Sequence, residues 1–192
     1  MLKLKKILKK RSGRSGGTIT VRHQGGRAKR FLRDIDFKRS KKDLWAKVEA
    51  IEYDPNRNAR IAKLVYLDGQ RSYIIAPVGL KEGMKVIASD DAPLEVGNCL
   101  PLAKIPVGTE IHNIEIRPGK GGQIARGAGI VAFVFGKDET HVLVKMPSTE
   151  IRKFDPNCTA VLGQVGNVED KNKNLRKAGA NRHRGIRPTV RG

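Results

Sequence analysis

The sequence predicts a mainly β protein built from two consecutive small β-barrels with basic N- and C-terminal extensions. Three observations carry this: short runs that alternate apolar and polar residues, turn clusters that separate them at regular intervals, and charge concentrated at the two ends. The chain has 192 residues, 39% of them hydrophobic, enough for one ordinary domain or two small ones but not for one large core.

Taken in order, residues 1–20 form a basic N-terminal arm. The first strand of the first barrel is Leu44 to Tyr53 (LWAKVEAIEY), which alternates at period two and ends in the turn cluster Asp54-Pro55-Asn56-Arg57-Asn58. Ala59 to Leu67 resumes a strand, Asp68-Gly69 signals a tight hairpin, and Arg71 to Ala76 returns antiparallel to it. Between Pro77 and Pro106 the chain is punctuated by Gly79, Gly83, Pro93, Gly97 and Pro101, so only short strands such as Met84 to Ala88 are expected. A second unit opens with the alternating TEIHNIEI from Thr109. It continues through Ile130 to Phe135, Thr140 to Lys145, Glu150 to Phe154 and Thr159 to Leu162, the spacing of a small closed barrel. Helix is expected only around Val168 to Lys177. The divisions are 1–20 for the N-terminal arm, 21–107 for the first barrel, 108–170 for the second and 171–192 for the C-terminal arm. The first barrel has the size of an OB-fold, which closes its sheet edges and commonly receives oligonucleotides.

Lysine and arginine total 39 against 19 acidic residues, a net charge of +20. Residues 1–42 carry 16 basic side chains against Asp34 and Asp36, and residues 171–192 carry 8 against none, while the body between them is −2. A neutral body with two cationic arms calls for a polyanionic partner. The segment from Gly13 to Arg30 mixes glycine with spaced cations: Arg14, Arg22, His23, Arg27, Lys29 and Arg30. Glycine lets backbone press into a groove, and the arginine fork matches phosphate and stacks on exposed bases. Arg39 and Lys41 follow apolar Ile35 and Phe37, a pattern expected to hold both cations at the barrel surface. Arg57 and Arg60 lie in or beside the turn. The loop Pro118 to Gly129 (PGKGGQIARGAG) lacks the GxxxxGK[ST] spacing of a nucleotide-binding loop and instead suits a passage between RNA backbones, with Lys120 and Arg126 as its cations. The C-terminal arm repeats the glycine–arginine pattern through Arg182, Arg184, Arg187 and Arg191, and is expected to order on RNA.

Enzymatic chemistry finds no constellation. His23, His112, His141 and His183 are scattered with no partner pattern, and Asp90-Asp91 reads as a turn. Cys99 and Cys158 stand alone, with neither the spacing of a zinc site nor a disulfide framework. No apolar run is long enough to span a bilayer, and the opening MLKLKKILKK lacks the core of a secretory signal.

Several stretches together resemble the bacterial and organellar form of the universal large-subunit ribosomal protein family L-two. They are TITVRHQGG (Thr18 to Gly26), DFKR (Asp36 to Arg39), IEYDPNR (Ile51 to Arg57), IPVG (Ile105 to Gly108), HNIE (His112 to Glu115), PGKGGQ (Pro118 to Gln123), GQVGN (Gly163 to Asn167) and GIRPTVRG (Gly185 to Gly192). The match runs from about Lys10 to Gly192. The resemblance implies an OB-fold followed by an SH3-like barrel, and a structural role binding large-subunit ribosomal RNA near the peptidyl transferase region. It implies RNA contacts at Arg39, Lys41, Arg57 and Arg126, with others from Gly119 to Gln123 and the last arm. It implies neighbouring ribosomal proteins, no membrane, and no cofactor beyond Mg2+ brought by the RNA. The family continues past PTVRG into a histidine- and glycine-rich tail. A separately encoded C-terminal fragment is therefore expected, and with it a mitochondrial ribosome, the alternatives being a bacterial cytoplasmic or plastid one.

Two other classes compete. A transient single-strand-binding module is disfavoured by 5% aromatic content and by Trp45, Tyr53, Tyr66 and Tyr73, which form no evident stacking platform. A nuclease or peptidyl-transfer enzyme is disfavoured by the missing metal cluster and acid–base pair.

Overall fold

The computed structural model describes residues 4–9 and 12–190. The N-terminal arm forms two small ladders: β1 (Lys5–Ile7) pairs with β4 (Phe31–Arg33), enclosing the hairpin of β2 (Arg14–Ser15) and β3 (Thr18–Ile19).

The first barrel is a four-stranded antiparallel sheet of β5 (Ala46–Glu52), β6 (Ile61–Tyr66), β7 (Arg71–Ile75) and β8 (Lys85–Val86), ordered β7-β6-β5-β8. The alternation in β5 has the expected result, with Ala46 and Val48 buried and Lys47 and Glu49 exposed. A bulge between Val48 and Ala50 bends the sheet toward closure. The hairpin between β6 and β7 forms as read: Gly69 adopts φ +76°, and the Tyr66 N–H donates to the Gln70 carbonyl to close it. Leu64, Ile74, Leu80 and Val86 fill the interior.

The second barrel is a six-stranded sheet made from β9 (Cys99–Pro101), β10 (Glu110–His112), β13 (Ala132–Lys137), β14 (Val142–Lys145), β15 (Ile151–Phe154) and β16 (Thr159–Leu162), ordered β15-β14-β13-β10-β16-β9. Strand β9 lies within the span expected to complete the first barrel but bonds to β16, so this sheet draws on both sides of residue 107. The expected single strand TEIHNIEI is broken. Asn113 turns into the left-handed region at φ 50°, which sends Ile114–Glu115 (β11) into a separate ladder with Gly122–Ile124 (β12) and buries all five residues from Ile111 to Glu115. The larger apolar core, including Leu102, Ile105, Ile111, Val134, Val144 and Leu162, lies here.

The two sheets are curled, as an OB-fold and an SH3-like barrel require. The backbone joins them along a seam, where Val78 N–H donates to Gln164 (2.8 Å) and Gly166 N–H to Ala76 (2.9 Å). A Cβ on Gly166 would lie 2.8 Å from the Ala76 carbonyl oxygen, so only glycine permits this approach. Ala59, Ile75 and Val165 close the seam, with Phe37 packed against them.

The helix expected around Val168 to Lys177 is corrected. Val168–Asn172 forms a 3-10 turn, and the α-helix α1 spans Ala178–Arg184. Neither segment buries a side chain, so local propensity and the stop signal decide between them. The later one has helix-favouring alanines and the left-handed Gly185, φ +90°, to end it.

Candidate nucleic-acid interface

Two segments distant in sequence meet at the seam. The Asp36 carboxylate accepts the backbone N–H groups of Lys38 and Arg39, folding 36–39 into a tight turn whose Phe37 carbonyl accepts from Gly122 of the glycine loop (2.9 Å). A Cβ on Gly121 would meet the Lys38 side chain at 2.9 Å, and one on Gly122 would meet Asn113 at 2.3 Å. The glycines thus let two backbones pack face to face.

Phe37 collects the cations of both barrels: the Arg126 guanidinium lies 4.5 Å from its ring centroid and that of Arg57 5.7 Å. Each arginine is tethered. Arg57 Nε donates to Asp54 Oδ2 at 2.8 Å, and Arg126 donates to the Gly122 carbonyl at 3.2 Å. Both remain half-buried, with exposed Lys38 and Lys120 alongside. Burial pushes the Asp54 carboxyl up, but hydrogen bonds from Arg57 and Asn56 and the Arg57 charge hold it below the usual carboxylate range. Asp54, wholly buried, also faces Arg33 at 3.7 Å, so the turn is braced by a charged centre. Glu115, 2% exposed, accepts the N–H groups of Gly119 (3.3 Å), Gly121 (2.7 Å) and Thr159 (3.0 Å), fixing the glycine loop to β16. Phe37, Lys38, Asp54 and Glu115 were not singled out in the sequence. For Asp54 and Glu115 the available signal was an acidic residue immediately beside each cationic turn.

Arg39 departs from expectation: it is 4% exposed, not at the barrel surface. Its φ of 51° turns the side chain inward against Ile74, His112 and Asn113, and its Nε and Nη1 find no acceptor in the protein. Burial pushes the His112 imidazole down to about 4, and the Arg39 charge lowers it further, while the hydrogen bond between Nδ1 and the Gly163 carbonyl (2.7 Å) works the other way. Lys41 pairs with Asp68 and lies 4.8 Å from the Tyr66 ring. Arg60, Lys120 and Gln123 are exposed.

The C-terminal arm also differs from the expectation that it orders on RNA, because its described part pairs with residues 23–28. Gly25 N–H donates to Gly185 (2.8 Å), Ala28 N–H to His183 (2.9 Å), and Arg187 N–H to His23 (2.9 Å). A Cβ on Gly185 would lie 3.0 Å from that of Arg27. Arg27, expected among the RNA contacts, is 8% exposed and donates to the carbonyls of Leu8 (3.3 Å) and Lys9 (2.8 Å), bracing the first arm. Arg30 donates to Pro55 at 2.9 Å. Arg14, Arg22, His23, Lys29, Arg182, Arg184 and Arg187 are exposed, and Arg191 lies outside the described residues. Lys9, His23, Arg30 and Arg184 line a cleft of about 710 Å³ between the arms, with no carboxylate among its lining residues.

Among the described residues, no helix is long and apolar enough to cross a membrane, and no group of three or more His, Cys, Asp or Glu could hold a metal. Burial pushes the Cys158 thiol up to about 11, so it is a packing residue.

Curled β-sheets whose seam and termini gather arginine and lysine around glycine-rich backbone define a nucleic-acid-binding protein of the structural kind. The family models agree: residues 1–88 match "Ribosomal Proteins L2, RNA binding N-terminal domain" and residues 95–192 match "Ribosomal Proteins L2, C-terminal domain". The chain belongs to the ribosomal protein L2 family, and is a ribosomal protein of the large subunit that binds ribosomal RNA.

Proposed function

We propose that this protein holds ribosomal RNA near the peptidyl transferase region, with the Arg57–Phe37–Arg126 seam as its central contact. The observation that carries the reading is the convergence of one arginine from each barrel on a single ring. A rigid, tethered pair of guanidiniums presents phosphate-matching forks at little entropic cost on binding. The exposed arm cations add phosphate neutralisation around this fixed centre.

The test is binding of the full chain to large-subunit RNA across a salt series. Arg57→Gln with Arg126→Gln is expected to weaken binding about 10-fold or more, and to reduce the slope of log affinity against log salt by roughly 0.7–0.9 for each phosphate no longer neutralised. An unchanged slope in the folded double variant removes the seam from the interface. Hydroxyl-radical footprints of the bound RNA outside the peptidyl transferase region would contradict the proposed location. We further propose, on the resemblance to the organellar form alone, that the particle is mitochondrial. Co-sedimentation of the chain with the mitochondrial large subunit checks this, and recovery in a cytoplasmic or plastid particle overturns it.

A further inference from the structure

The second barrel carries a surface that the arginine seam does not use. Strand β13 lies inside its sheet, between β10 and β14. Its Ala132 and Val134 point into the core at 0% and 1% exposure, whereas Phe133 and Phe135 point outward at 37% and 54%. The cross-strand register extends the outward face: Phe133 stands opposite Lys145, which stands opposite Ile151, and in the next row Leu143 stands opposite Lys153. The bulge between Val134 and Gly136 turns β13 beside Phe135, and a Cβ on Gly136 would meet only Leu143, so the floor there is open. Lys145 and Lys153 are exposed and enter no ion pair among the described residues. One carboxylate, Glu110, borders the face opposite Phe133.

Two exposed aromatic side chains two positions apart on an interior strand, with lysines on the neighbouring strands, is the arrangement by which β-sheets stack successive unpaired bases while the cations follow the phosphates. Phenylalanine is enriched at protein–protein contacts too, but lysine is depleted from them, and the lysines beside the rings favour RNA as the occupant. We infer that the Phe133–Phe135 face of the second barrel is a separate site for unpaired nucleotides of RNA, binding chiefly by stacking on the rings, with Lys145 and Lys153 alongside the phosphates. Glu110 supplies an acceptor for an exocyclic base amine, which favours cytosine or adenine over uracil at the Phe133 position. The inference rests on the RNA-binding reading above but concerns a different face, so the two are separable.

The experiment measures binding of the full chain to single-stranded cytidine and uridine decamers by fluorescence anisotropy. It compares the parent, Phe133→Leu with Phe135→Leu, and Arg57→Gln with Arg126→Gln. Leucine keeps the outward face apolar, and thermal melting verifies the fold of each variant. The phenylalanine variant is expected to bind the cytidine decamer at least 10-fold more weakly with an unchanged salt slope, because stacking and not charge is removed. Lys145→Gln with Lys153→Gln should instead lower the slope. If the phenylalanine variant binds normally while the arginine variant is impaired, the stacking site is wrong and the seam reading stands. If neither variant is impaired, both readings fall. If decamer binding is unchanged but a photo-cross-linker at position 135 captures protein and not RNA in assembled subunits, the face docks a protein and the inference is overturned.

Discussion

Burial holds the His112 imidazole down to about 4, whereas a histidine in the unfolded chain titrates near 6.5. Between these values the unfolded chain binds a proton that the folded one refuses. The contribution of neutral His112 is therefore complete above pH 6.5 and falls as pH drops toward 4, by about 3 kcal/mol across the window. His112→Gln, which retains a donor for the Gly163 carbonyl, should flatten this dependence; urea midpoints at pH 7 and pH 5 check it. Arg39→Met removes a nearby buried charge, and the His112 resonance should then titrate at higher pH by NMR. That guanidinium shows the limit of reading a single residue from sequence. The DFKR pattern placed a cation after apolar anchors, but which way the side chain points depends on a left-handed φ that arginine itself does not announce. That Arg57 and Arg126 lie in or beside turns was legible from the neighbouring turn residues; that both are half-buried and meet at Phe37 was not, since the pairing is made by tertiary packing.

At the scale of elements, the glycine loop owes its shape to the Glu115 carboxylate beneath it. Glu115→Gln keeps the volume but places an amide donor among N–H donors, and should cost about 1–3 kcal/mol with faster amide exchange at Gly119 and Gly121. Gly122→Ala should be at least as damaging, because its Cβ would overlap Asn113. Strands with one buried and one more exposed face were visible in the sequence, as β5, β13 and β14 show. Where both faces are buried, as from Ile111 to Glu115, alternation carried no information on the break at Asn113. The α1 helix was hidden by its company: glycines and arginines suggested an extended arm, and the stop at Gly185 was the overlooked cue.

For the molecule as a whole, the two cationic extensions act as one unit clasped through Gly25 and Gly185. Gly185→Ala strains a left-handed position and crowds Arg27, and limited trypsin digestion should then cut faster at Arg22 and Arg27 while the barrels persist. Equal cleavage rates in parent and variant would show that the clasp does not protect the first arm. Its bonds have a temporal meaning as well: the His23 ring and the Pro188 carbonyl that it contacts are 165 positions apart. At a synthesis rate of about 5–20 residues per second, the first arm leaves the translating ribosome roughly 10–30 s before the last arm exists. For that interval the early cations have no clasp, so the first arm stays unpaired until the last arm is made and the clasp is one of the final contacts to form.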